Sequence, residues 1–147
     1  MSNRKLMPLI LIFALLATLL SACGSTASAA SSKGPVNVTV TLSEFAFQSS
    51  LTDFKVGVPY HFTIINKGAI PHELMIVKPL DNSSNMTMEE MDNMALADVE
   101  ADDLPAGGTA TLDYTFTAPA TPGTLEFACH IPGHYESGMK LPITVTQ

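Results

Sequence analysis

The chain has 147 residues, about one domain's length, and only 14% of them are charged. With a positive mean hydropathy, this excludes a disordered polymer and permits a packed core. Seven basic residues against fourteen acidic ones give a formal net charge of −7, which excludes a duplex nucleic-acid partner, because such binding draws on Lys and Arg neutralising phosphates.

The first element in chain order is an export signal over residues 1–22. Arg4 and Lys5 precede the apolar run Leu9 to Leu20, and the small residues Ser21 and Ala22 lead into Cys23. The run is short of the roughly 20 residues that a membrane-crossing helix needs, so a cleaved signal is expected rather than a span. Leu20-Ser21-Ala22-Cys23 resembles the lipobox of bacterial lipoproteins. By that resemblance Cys23 receives a lipid and becomes the mature N-terminus, and the protein is extracytoplasmic, anchored on the periplasmic side or outer face of a bacterial membrane. Residues 23–34 then form the lipidated cysteine and a Ser/Ala/Gly tether with a coil reach of roughly 18 Å.

A single folded domain is expected over residues 35–147. Val36, Val38, Val40 and Leu42 alternate with Asn37, Thr39 and Thr41, the period of a half-buried strand. Similar runs cover Tyr60 to Ile64, His72 to Ile76, Ala110 to Phe116, Leu125 to Cys129 and Leu141 to Val145. Val58-Pro59, Lys67-Gly68, Ala106-Gly107-Gly108 and Thr121-Pro122-Gly123 separate them as turns. Short strands at this spacing predict an all-β, antiparallel sandwich or barrel. Pro142 has no N–H for a ladder, so its strand belongs at a sheet edge or carries a bulge. Met86 to Val99 is rich in Met, Glu, Ala and Leu and predicts a short helical insert. Its methionines Met86, Met88, Met91 and Met94 read as core filler.

With Cys23 lipidated, Cys129 is the remaining cysteine of the two in the chain, and no intramolecular disulfide is possible. An unpaired cysteine in an oxidising compartment asks for a reactive, bridging or metal-binding role. Cys129 opens the stretch Cys129-His130-Ile131-Pro132-Gly133-His134-Tyr135-Glu136-Ser137-Gly138-Met139. A thiolate, an imidazole and a thioether thus stand at C-x4-H-x4-M spacing across a Pro-Gly loop. Soft sulfur with imidazole suits copper, and two His with one Cys and a weak axial Met form the arrangement of blue-copper electron-transfer sites. His72 supplies the second imidazole. It has the strand parity of Leu74 and Ile76, as Cys129 has that of Leu125 and Phe127, and Met139 that of Leu141, Ile143 and Val145.

These residues resemble those of the cupredoxins, the plastocyanin and azurin family, with a loop spacing similar to auracyanin-like members and small cupredoxin-like lipoproteins. The likeness covers roughly Pro35 to Gln147. It implies a Greek-key β-sandwich with one copper ion (Cu+/Cu2+) at one end, held by His72, Cys129, His134 and Met139. One departure stands out. Many members carry Asn or Asp after the first His, hydrogen-bonded toward the Cys loop, where this chain has Glu73.

The function expected is one-electron transfer between redox proteins, such as membrane electron-transfer complexes or oxidases. The alternative is copper binding for homeostasis or delivery, for which the insert methionines would form a Cu(I) relay. Enzymatic copper chemistry is not expected, because the chain has four His, two are committed, and no His-x-His pair exists for further coppers. His134 sits on the loop, so its ring edge is the expected electron port, with Ile70, Pro71, Ile131 and Pro132 as an apolar docking patch. His61 reads as structural, and His130, of opposite parity to Cys129, as outward or supporting.

Overall fold

The computed structural model describes residues 34–80 and 86–147. The expected export signal, Cys23 and, apart from Gly34, the expected tether lie outside the described residues. Among the described residues ten strands run in chain order, with an α-helix between the fifth and sixth: β1 (Val36–Ser43), β2 (Ala46–Ser49), β3 (Asp53–Lys55), β4 (Pro59–Asn66), β5 (Leu74–Val77), α1 (Met88–Asp92), β6 (Ala97–Val99), β7 (Thr109–Thr115), β8 (Glu126–Ala128), β9 (Lys140–Pro142) and β10 (Thr144–Thr146).

The strands form two four-stranded sheets, in the orders β2-β1-β4-β7 and β6-β5-β8-β9, and a two-stranded ribbon of β10 with β3. The expected antiparallel pairing holds for most ladders and fails for two. β1 lies parallel to β4, and β10 parallel to β3. The cause is the route between β1 and β4. β1 hairpins into β2, the chain crosses to pair β3 with β10, and β4 returns beside β1 in the direction that β1 took. A Greek-key sandwich closes in this way with mixed sheets.

The period of two places the core. Val38, Val40 and Leu42 of β1 and Tyr60, Phe62 and Ile64 of β4 are buried, and they meet Leu74, Ile76, Phe127 and Val145 from the facing strands. Phe54 sits at the centre, its ring 4.9 Å from Phe116 and 5.0 Å from Tyr60. Burying such rings is the main favourable contribution to folding, about 25 cal/mol for each Å² of apolar surface removed from water.

Pro142 lies in β9, an edge strand, as its missing N–H requires. The run Leu141 to Val145 is not one strand, however. It breaks at Ile143, so that β9 pairs with β8 and β10 pairs with β3. The proline ends one ladder and the chain passes to another.

The helical insert is shorter than its composition predicts. α1 covers Met88–Asp92, with a capping box in which Thr87 and Glu90 satisfy each other's backbone N–H groups. Ala97–Val99 is a strand, paired in register with Leu74 to Ile76, because closing an open sheet edge outweighs the weak helix preference of a few residues. Every residue of β5 and β8 is buried. Their inner faces meet the main core, and their outer faces (Met75, Val77, Ala128) are covered by Tyr135, Leu80, Met91 and Ala95. Met91 is therefore core filler as expected, whereas Met94, beyond the helix end, is exposed.

Candidate metal centre

Four predicted residues meet at one end of the sandwich. His72 precedes β5, Cys129 follows β8, Met139 precedes β9, and His134 belongs to the loop between Cys129 and Met139. His72, Cys129 and Met139 are fully buried and His134 keeps 7% of its surface. The loop is drawn tight: Cys129 N–H donates to the Met139 carbonyl at 3.2 Å, Met139 N–H to the His134 carbonyl at 3.0 Å, and His134 N–H to the Ile131 carbonyl at 2.9 Å. Gly133, at φ +87°, provides the left-handed step that turns the chain back before His134.

The donor atoms converge. His72 Nδ1 lies 3.3 Å from His134 Nδ1, which lies 3.3 Å from Cys129 Sγ. All three fall within 4.8 Å of one another. An ion held in a plane at about 2.0 Å from imidazole nitrogen and about 2.3 Å from thiolate would spread such donors roughly 3.5 Å apart, so the three atoms fit around one metal. Met139 adds a buried thioether beside Cys129 in the same core cluster. The set of two imidazoles, a thiolate and a thioether is that of a copper site.

Burial governs the electrostatics. It pushes the Cys129 thiol up to about 11, opposed in part by the backbone N–H groups of Glu73 and Ile131. Burial first and the neighbouring His134 second hold His72 below the ordinary imidazole range, while Glu44 opposes them. The free site therefore holds a thiol and neutral His72 near neutrality, and a metal must displace a proton from sulfur to bind.

Glu73 forms the link that its departure from Asn or Asp put in question. Its Oε1 accepts the backbone N–H of His130 at 2.5 Å, tying the residue after His72 to the residue after Cys129. Burial raises the Glu73 carboxyl above its ordinary range, and the His130 N–H works against that shift. His130 itself is buried, not outward. Its ring stands edge-on to Tyr135 at 4.9 Å, and Tyr135 donates its hydroxyl proton to buried Glu126 at 2.6 Å. His61 lies apart from the site, paired with Asp113 at 2.6 Å.

Two neighbours of the site gave no signal in the sequence. The turn between β1 and β2 carries Phe45, at φ +43°, and its ring packs edge-on against His134 with centroids 5.1 Å apart. A phenylalanine in the left-handed region costs roughly 1–2 kcal/mol, and the edge-on aromatic contact offsets about 1 kcal/mol of it. The ring edge expected to be an open port thus lies largely under Phe45. Of the residues expected to form a docking patch, Ile70, Pro71 and Pro132 are exposed and Ile131 is half-buried. The residue before Phe45, Glu44, accepts the Ala69 N–H at 2.5 Å.

Comparison with known proteins agrees with this geometry. Residues 35–146 match the model of the copper binding proteins of the plastocyanin/azurin family. Two curated relatives are each described as a copper-resistant cuproprotein CopI. The one from Rubrivivax gelatinosus is 32% identical over 94 residues, covering 63% of this chain and 55% of the relative. That from Pseudomonas aeruginosa is 29% identical over 139 residues, covering 74% of this chain and 75% of the relative. The chain thus spans about half the length of the first relative. Among solved structures, reduced auracyanin from Roseiflexus castenholzii superposes with TM-score 0.59 at 26% identity, over 78% of this chain and 100% of that one. Rusticyanin from Thiobacillus ferrooxidans shares the fold, with TM-score 0.55 at 21% identity over 77% of this chain and 79% of that one. With a buried donor set that fits copper and a family match over its whole described domain, the chain belongs to the plastocyanin/azurin family of copper-binding proteins, whose cofactor is a single copper ion.

Proposed function

We propose that this chain is a one-electron carrier that works outside the cytoplasm, tethered to a membrane through a lipid on Cys23. The observation that carries the reading is the convergence of His72 Nδ1, His134 Nδ1 and Cys129 Sγ in a buried pocket, with Met139 beside them. Copper, when bound, supplies the one-electron couple between Cu(II) and Cu(I). The chain's residues do the rest. His72, Cys129, His134 and Met139 would hold the ion in a setting fixed by the loop hydrogen bonds, which favours little rearrangement between the two states. The donor residues are buried, three of them fully, which would shield a bound ion from water and supports a carrier rather than an enzyme.

Electrons pass through the His134 and Phe45 end of the molecule, and redox partners dock on the apolar rim of Ile70, Pro71, Ile131 and Pro132. Exposed apolar patches of this kind commonly mark contact sites. Ile131→Lys tests the docking reading. It is expected to slow electron exchange with the partner while colour and potential stay near wild type. An unchanged exchange rate would move the docking surface elsewhere.

A second reading, copper handling, is favoured by the description of both curated relatives as copper-resistant. The two differ in what leaves the protein. A carrier keeps its copper through repeated reduction and oxidation in the presence of a competing chelator, and a delivery protein loses it at a rate comparable to reduction. Retention over many cycles is expected, given three fully buried ligand residues.

A further inference from the structure

His72 turns Nδ1 toward His134 and Cys129, so when it binds a metal through that atom its remaining proton sits on Nε2. Nε2 is buried and has no hydrogen-bond partner among protein atoms. A buried N–H left unpaired costs about 1–3 kcal/mol, and metal-bound imidazoles ordinarily give this proton to a carboxylate, a carbonyl or a water.

Polar atoms gather near Nε2 at the loop before His72. A β-carbon added at Gly68 would stand 2.6 Å from Glu44 Oε1, 2.8 Å from His72 Nε2 and 3.1 Å from Asn66 Oδ1. Polar atoms from three parts of the chain thus converge on the space that a side chain would fill. Gly68 is required by this close approach rather than by its backbone angle. Asn66 Oδ1 already accepts the Gly68 N–H at 2.8 Å. Glu44 brings the negative charge. It is held in place by the Ala69 N–H.

We propose that Glu44 is a positioning residue for His72: its carboxylate accepts a hydrogen bond from Nε2–H through one water, the proton staying on the imidazole, and its charge stabilises the more highly charged oxidised centre. This rests on the reading of His72 as a copper ligand. By it, the turn between β1 and β2 serves both imidazoles, Glu44 behind His72 and Phe45 over His134.

The test uses full-length protein loaded with copper, in wild-type form and as Glu44→Gln and Glu44→Ala. Glu44→Gln keeps the shape and an oxygen for the Ala69 N–H and removes only the charge. It is expected to lower Cu(II) affinity by about 10–100-fold with a smaller effect on Cu(I). Each tenfold change in that ratio raises the reduction potential by about 59 mV, and thermal stability of the copper-free protein should not move. In the reduced, diamagnetic protein, the His72 Nε2–H resonance should be protected from exchange in wild type and exchange faster in Glu44→Ala. A Glu44→Gln potential equal to wild type, with the Nε2–H equally protected in Glu44→Ala, would overturn the proposal. His72→Ala separates the underlying reading: if it keeps full colour and stoichiometry, His72 is no ligand and the role of Glu44 falls with it.

Discussion

Replacing Asn66 by alanine should loosen the loop that carries His72, and the size of the effect follows from its bonds. Asn66 is buried at the end of β4. Its Nδ2 donates to the carbonyls of Ile70 at 2.8 Å, Leu104 at 3.0 Å and Pro105 at 3.1 Å, and its Oδ1 accepts from Gly68 at 2.8 Å. Two amide protons serve three carbonyls, so at least one bond is shared, and the set counts as roughly three net bonds at about 1 kcal/mol each. Water can reach Gly68 and Ile70 after truncation, but Leu104 is fully buried, which keeps the total near 3 kcal/mol. For a domain of this size that is a fall in Tm of roughly 10 °C. Calorimetry of the copper-free and copper-loaded protein is the assay. The loaded form should lose more than the free form, because bound ligand stabilises by mass action and a loosened His72 weakens binding. A Tm within about 2 °C of wild type, or equal losses in the two forms, would refute the idea that Asn66 organises the metal-bearing loop.

Copper uptake should release one proton per ion, since burial keeps the Cys129 thiol protonated up to about 11 while His72 is already neutral. Apparent affinity then rises roughly tenfold per pH unit through the neutral range, and pH-independent binding would contradict the assignment of sulfur as ligand. Glu73→Ala, which leaves the buried His130 N–H unpaired, should cost about 1–3 kcal/mol in stability and shift the potential. Glu73→Gln keeps an acceptor and should retain most of the stability, and equal losses in both variants would mean that the carboxylate charge, not the bond, matters. Met91→Ala should cost less than the 2–5 kcal/mol of a fully buried truncation, about 1–2 kcal/mol, with copper stoichiometry unchanged by metal analysis. Loss of copper without loss of stability would instead give the insert a metal role.

The four site residues and the sandwich were legible because both rest on local pattern. Period-2 alternation marks Val38, Val40 and Leu42 as a buried face whatever the partner strand, and the spacing from Cys129 to Met139 is set by one short loop. Only His72 had to be found at a distance, and its parity with Leu74 and Ile76 was enough. What was not legible depended on long-range placement. Nothing in Val36–Ser43 states that its second neighbour is the parallel β4, reached only after two intervening strands. Ala97–Val99 reads as the tail of a helix until the free edge of β5 is there to pair with it. Ser43-Glu44-Phe45-Ala46 carries no Gly, Asn or Pro to mark a hairpin turn, so Phe45 over His134 and Glu44 near His72 became visible only when the fold brought them there.

The most direct measurement is an absorption titration of the purified domain with Cu(II), alongside Cys129→Ser. The account predicts an intense thiolate-to-copper charge-transfer band that saturates at one copper per chain and is absent from Cys129→Ser. A titration that continues past one copper per chain without such a band, or a Cys129→Ser protein that keeps the colour, would contradict it.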